Sequence, residues 1–93
     1  MNCKKVTYRL HAVEQMFKRN ITQPEVDAVI NKGETITEYP NDKPYPSVLR
    51  LGFVHSRPIH IVVAQDETGE CFIVTAYEPS VFIWEADFKT KKR

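Results

Sequence analysis

The sequence predicts an α+β domain, two N-terminal helices packed on an antiparallel β-sheet meander, and three observations carry that prediction. The hydrophobic period turns helical at His11 and stays so to Lys18. A helix-start signature, Thr22-Gln-Pro-Glu25, follows within a few residues. From Pro58 to Pro79 two β-rich runs, Pro-Ile-His-Ile-Val-Val-Ala and Cys-Phe-Ile-Val-Thr-Ala-Tyr-Glu-Pro, flank a polar loop and read as an antiparallel hairpin. At 93 residues the chain makes one domain, spanning 1–93, with a single modest core.

In order, Lys5 to Leu10 alternates Val6, Tyr8 and Leu10 with Thr7 and Arg9, as in a short edge strand leading into a helix. A helix over about 11–19 follows, with Ala12, Val13, Met16 and Phe17 as its apolar stripe and His11, Glu14, Gln15 and Lys18 opposite. Only Asn20 and Ile21 lie between it and Thr22, the cap of a second helix over about 23–32. There Thr22 caps, Glu25 reaches back, Pro24 fits the first turn, and Val26, Val29 and Ile30 form the buried stripe up to Gly33.

Glu34 to Tyr39 alternates as a strand. The segment from Pro40 to Ser47 holds three prolines and reads as a stiff loop presenting Tyr45, which either stacks on a ligand or packs on its own domain. Val48 to Val54 is the next strand, and His55-Ser56 is a tight turn into the central hairpin. That turn sets Leu51 opposite His60 and puts Arg50 on the other face, and a slip of one residue in register would reverse this. A four-residue hairpin loop from Asp66 to Gly69 sets His60 opposite Thr75, on the same face as Tyr77. Beyond Pro79, the spacing of Val81, Trp84 and Phe88 predicts a short amphipathic turn that docks Trp84 on the core. The strands are apolar on both faces, so the face away from the helices needs a cover or a ligand.

The formal charge is only +1, but four of the last five residues, Lys89, Lys91, Lys92 and Arg93, are basic, and the rest of the chain sums to about −3. Such a tail points to nucleic acid or another phosphate-rich partner, or is a frayed solvated end. Cys3 and Cys71 form no disulfide framework, and Cys71 reads as a small buried apolar group. The three scattered histidines and two distant cysteines lack metal-site spacing, so neither metal nor cofactor is expected. The first residues are polar and basic, no run reaches membrane-spanning length, and the expected location is cytoplasmic, with no membrane partner.

The candidate site is a polar set on apolar strands: His60, Thr75, Tyr77 and, at the strand exit, Glu78. Buried polar groups without partners are costly, so these need a reason. His60 is either a base or acid titrating near neutrality or an imidazole satisfied by Thr75 or Tyr77. His11, on the polar side of the first helix, is a second acid or base, or a surface residue.

His11-Ala12-x-x-Gln15-Met16-x-x-Arg19-x-Ile21, Tyr39-Pro40-x-Asp42-Lys43-Pro44-Tyr45-Pro46-Ser47, Pro58-x-His60 and Thr75-Ala76-Tyr77-Glu78-Pro79 together resemble the DUF4258 family of small bacterial and archaeal domains. The resemblance covers nearly the whole chain. It departs at Gln15, where the family often has Arg, and at Asn20, where it often has Gly.

That family in turn is similar in element order to BrnT and RelE-type toxins. This implies a toxin of a type II toxin–antitoxin pair, acting as a metal-independent endoribonuclease on RNA or the ribosome, with a zinc-finger, MqsA-like antitoxin as partner. Cleavage through the 2′-OH needs a base, a cation for the phosphoryl charge and an acid for the leaving oxygen. The implied assignments are His60, Tyr77, His11 and Arg50 as catalytic groups, and Arg57, Lys89, Lys91, Lys92 and Arg93 as nucleic-acid contacts. A non-catalytic nucleic-acid- or protein-binding domain, and a purely structural or dimerising one, remain the alternative classes.

Overall fold

Local rules account for both helices of the computed structural model, which describes residues 1–93. Helix α1 (Leu10–Lys18) ends where Asn20 takes a left-handed φ of 56°, a conformation asparagine tolerates. Helix α2 (Gln23–Lys32) opens with the expected capping box: Thr22 Oγ1 accepts from Glu25 N at 3.3 Å and Glu25 Oε1 accepts from Thr22 N at 2.8 Å. Five strands follow the expected order: β1 (Lys5–Tyr8), β2 (Glu34–Tyr39), β3 (Ser47–Val54), β4 (Arg57–Gln65) and β5 (Glu70–Tyr77).

They form one sheet in the order β1-β5-β4-β3-β2. Strands β2 to β5 are the antiparallel meander, but β1 lies parallel to β5, with Val6 beside Cys71 and Tyr8 beside Ile73. The sheet is therefore mixed. Alternation marks β1 as a strand but carries no information about which distant strand it joins.

The helices cover one face. Ile59, Ile61 and Val63 of β4 and Cys71, Ile73 and Ala76 of β5 pack there against Ala12, Met16, Val26, Val29 and Ile30. Ile73 and Ala76 are three apart, so an unbroken strand would point them to opposite faces. A bulge turns both inward: pairing jumps from Val63–Ile73 to Val62–Thr75 and leaves Val74 extra. The stripe expected on α1 is narrower than its sequence suggests. Ala12 and Met16 are buried, whereas Val13 is 44% and Phe17 89% exposed, because the helix turns only its i, i+4 pair toward the sheet.

The His55-Ser56 turn, with both residues at positive φ, sets Leu51 opposite His60 as expected. The hairpin register differs from expectation. Asp66 N–H bonds Glu70 O at 3.0 Å, which tightens the turn by one residue, and the bulge adds one more. His60 consequently faces Tyr77 and not Thr75. Because the two shifts sum to an even number, the shared face is kept.

Cys3 and Cys71 form a disulfide, with Cα atoms 5.6 Å apart across 68 residues of sequence. This corrects the reading of Cys71 as a free apolar group. The parallel placement of β1 beside β5 brings the two together, and nothing local in the sequence signals that placement. The residues after β5 also differ from expectation. A single turn at Ser80–Trp84 does dock Trp84, 7% exposed, but no helix continues to Phe88. Instead the chain folds back on itself: Trp84 bridges Lys91, Glu85 N–H bonds Thr90 O at 2.8 Å, and Lys92 N–H bonds Ile83 O at 2.8 Å. Residues 80–92 are thus an ordered strap rather than a frayed tail.

Candidate functional site

On the face away from the helices, Leu51, His60 and Tyr77 form one cross-strand row. The strap lies over it. His60 is fully buried, and each ring nitrogen has a partner: Nε2 lies 2.8 Å from Phe88 O and Nδ1 lies 3.2 Å from the Tyr77 hydroxyl. A carbonyl only accepts, so Nε2 carries the proton. Burial lowers the pKa of His60 and keeps the ring neutral, so Nδ1 accepts from Tyr77 O–H. The Trp84 ring meets the imidazole edge-on, with centroids 4.6 Å apart.

Beside this row a cleft of about 310 Å³ opens, lined by Thr37, Tyr39, Leu49, Tyr77, Trp84, Lys89 and Lys91. Its floor is β-sheet and one wall is the strap. Burial raises the pKa of Tyr77, and Tyr39 nearby raises it further against a smaller opposing effect of Arg19, so the phenol stays protonated at neutral pH. Lys89 is tied to Glu34 at 2.8 Å. Lys91 pairs with no carboxylate, and its ammonium sits 5.7 Å from the Trp84 ring centroid.

A family model, described as "Domain of unknown function (DUF4258)", matches residues 8–78. The chain belongs to the DUF4258 family. No curated protein and no solved structure matches it. The matched span holds Tyr39, His60 and Tyr77, while the strap that completes the cleft in this DUF4258 domain follows it.

Of the residues singled out in the sequence, the fold gathers Tyr77, Lys89 and Lys91 around the cleft, with His60 sealed behind Tyr77. The others lie elsewhere. Arg50 is buried on the helix face, where Nε donates to Val29 O, Nη2 to Gly33 O at 2.6 Å and Nη1 to Thr35 Oγ1 at 2.9 Å. Its position opposite Ile61 excludes it from the His60 row. Arg57 closes the other helix: it donates to Arg19 O and Asn20 O and pairs with Glu78 at 2.6 Å. His11 is exposed on α1, across the sheet from His60. Lys92 and Arg93 are exposed at the strap's end, and Tyr45 packs on Phe72 at 5.6 Å between centroids. No three His, Cys, Asp or Glu side chains gather in a metal-binding group.

Tyr39 and Trp84 line the cleft without having been singled out for it. For Tyr39 the signal was available, since alternation from Thr37 puts both on one face. Trp84 reads from sequence only as a docking residue, because its contact with Lys91 depends on the chain reversing after Phe88.

Proposed function

We propose that this DUF4258 domain binds single-stranded RNA through the cleft, without cleaving it. The supporting observation is the juxtaposition of Tyr39, Tyr77 and Trp84 with the unpaired ammonium of Lys91 in one opening on the sheet. Tyr39 and Tyr77 offer ring surface for stacking, buried Trp84 holds Lys91 at the opening, that lysine meets a backbone phosphate, and phenol hydroxyls bond ribose 2′-OH groups. Lys92 and Arg93 extend the positive charge from the strap's end.

One observation favours the stronger reading, an endoribonuclease that is the toxin of a type II pair with a zinc-finger, MqsA-like antitoxin. Tyr77 O–H is backed by His60 Nδ1, and His60 is itself oriented by Phe88 O. In that version Tyr77 meets the substrate and Lys91 the phosphate, while His60 acts only through Tyr77. His11, Arg50 and Arg57 have no part in it. A cytoplasmic location belongs to this proposal; the Cys3–Cys71 bond weighs against it, since disulfides persist mainly in oxidising compartments.

The test is fluorescence anisotropy of an end-labelled oligouridylate across a salt series, with the same mixtures run on a denaturing gel. We expect binding that weakens with salt, intact RNA, and a shallower salt slope for Lys91→Gln by about 0.7, one phosphate contact on a single strand. Cleavage by the wild type, lost in Tyr77→Phe with binding retained, establishes the enzyme instead. A wild-type chain that neither binds nor cuts overturns both readings.

A further inference from the structure

The sheet face that carries the cleft has a second aromatic cluster at its other end. Tyr39, Ser47, Ala64 and Phe72 form one cross-strand row from β2 to β5. Its two middle members are small, and its ends are aromatic. Tyr45 folds back from the proline-rich loop and stacks on Phe72, with 14° between the ring planes. From the β1 side Arg9 brings its guanidinium carbon to 5.3 Å from the Phe72 ring centroid. Arg9 is exposed and forms neither an ion pair nor a side-chain hydrogen bond, so all five of its N–H donors are free.

Between the two clusters runs the row Thr37, Leu49, Val62 and Thr75. Thr37 and Leu49 line the cleft, and Val62 and Thr75 continue its floor toward Phe72, both half-buried. The span from β2 to β5 is three strand spacings, about 14 Å. A four-stranded sheet of that width can stack two or three bases.

We propose that Arg9, Phe72 and Tyr45 form a second stacking and phosphate subsite, so that the ligand is an oligonucleotide laid across the strands from the Trp84 end to the Arg9 end. This rests on the RNA-binding reading above and assigns that site its ligand length and direction. An arginine held on an aromatic ring with its donors free presents a planar fork to a phosphate and a flat surface to a base. Neither role needs the Tyr77 end, so the two subsites contribute separately and a short ligand occupies only one.

The experiment compares labelled uridine dinucleotide and hexanucleotide on the full chain, using wild type, Arg9→Gln and Tyr45→Ala, with each variant's thermal melt confirming its fold. Wild type should bind the hexanucleotide at least about tenfold more tightly than the dinucleotide. Arg9→Gln and Tyr45→Ala should each erase most of that gain and leave dinucleotide binding unchanged. If the hexanucleotide binds no better than the dinucleotide, or if both folded variants keep the full gain, the second subsite is wrong while the first survives. If wild type binds neither oligonucleotide, the RNA-binding reading falls and takes this inference with it.

Discussion

His60 is held by two partners that together permit one protonation state. Phe88 O requires a proton on Nε2, and Nδ1 of the neutral ring then accepts the hydrogen bond from Tyr77 O–H. Protonating Nδ1 would set two donors face to face unless the phenol turns. The folded pKa is lowered from 6.5 by burial, so below that value the unfolded chain binds a proton that the folded chain refuses. Stability is therefore full above pH 6.5 and falls as the pH drops from there toward the lowered folded value. Urea midpoints from pH 7.5 down to 5 should show that loss in wild type and a flatter profile in His60→Ala. At neutral pH the same substitution should destabilise by about 1–3 kcal/mol, with ligand binding falling only in proportion to folded protein. An unchanged midpoint combined with lost activity would instead place His60 in the chemistry. How much of this was legible varies along the row. The shared face of His60 and Tyr77 was expected from a four-residue loop and survives because two one-residue shifts cancel in parity, whereas their direct pairing depended on a bulge that no residue type announces.

At the scale of elements, the contact between α2 and β3 shows how tightly the helix layer is set. A Cβ on Gly52 would meet Val29 Cγ2 at 2.8 Å, and one on Gly33 would come within 2.5 Å of Leu51 O. Gly33 ends the helix with φ −78° and ψ −171°, so glycine is needed there for close approach and not for a left-handed turn. Arg50 fills the same junction. Its guanidinium satisfies Val29 O and Gly33 O at the end of α2, so it serves as a buried C-terminal cap. Arg50→Met should cost about 2–3 kcal/mol in urea unfolding and leave nucleic-acid binding untouched. A folded Arg50→Met chain that fails to bind would return the arginine to the site. From sequence, the tight turn puts Arg50 away from His60 only if the register does not slip by one, and the implied catalytic groups still include Arg50; the pairing of Arg50 with Ile61 decides its face. The acceptors it would find could not be read, because they belong to a helix end 17 to 21 residues away in the chain.

At the scale of the whole molecule, β5 is where the layers meet. It pairs with β1 on one side and β4 on the other, and Cys71 joins it to the N-terminal segment. That segment is anchored further by Lys4 N–H to Gly69 O at 2.9 Å and Gln65 Nε2 to Asn2 O at 2.8 Å. Reduction, or Cys3→Ser, should lower the unfolding free energy by about 4 kcal/mol, the chain-entropy expectation for so long a loop. Denaturant titrations with and without reductant measure it directly, and identical midpoints would show that the bond contributes nothing. The helices, the meander and the tight turn were legible because each is written in neighbouring residues. The parallel edge strand, the disulfide and the returning strap were not, because each joins residues far apart in the chain.

The disulfide also changes what a cut in the chain means. Residues 3 to 71 form a covalent ring that contains both helices and the exposed, proline-rich stretch before β3. A protease that clips this stretch once opens the ring without dividing the molecule. The clipped protein would run as one band on a non-reducing gel and as two once a thiol is added. The fragment that carries β1 and the helices would therefore stay bound to the fragment that carries β4 and β5.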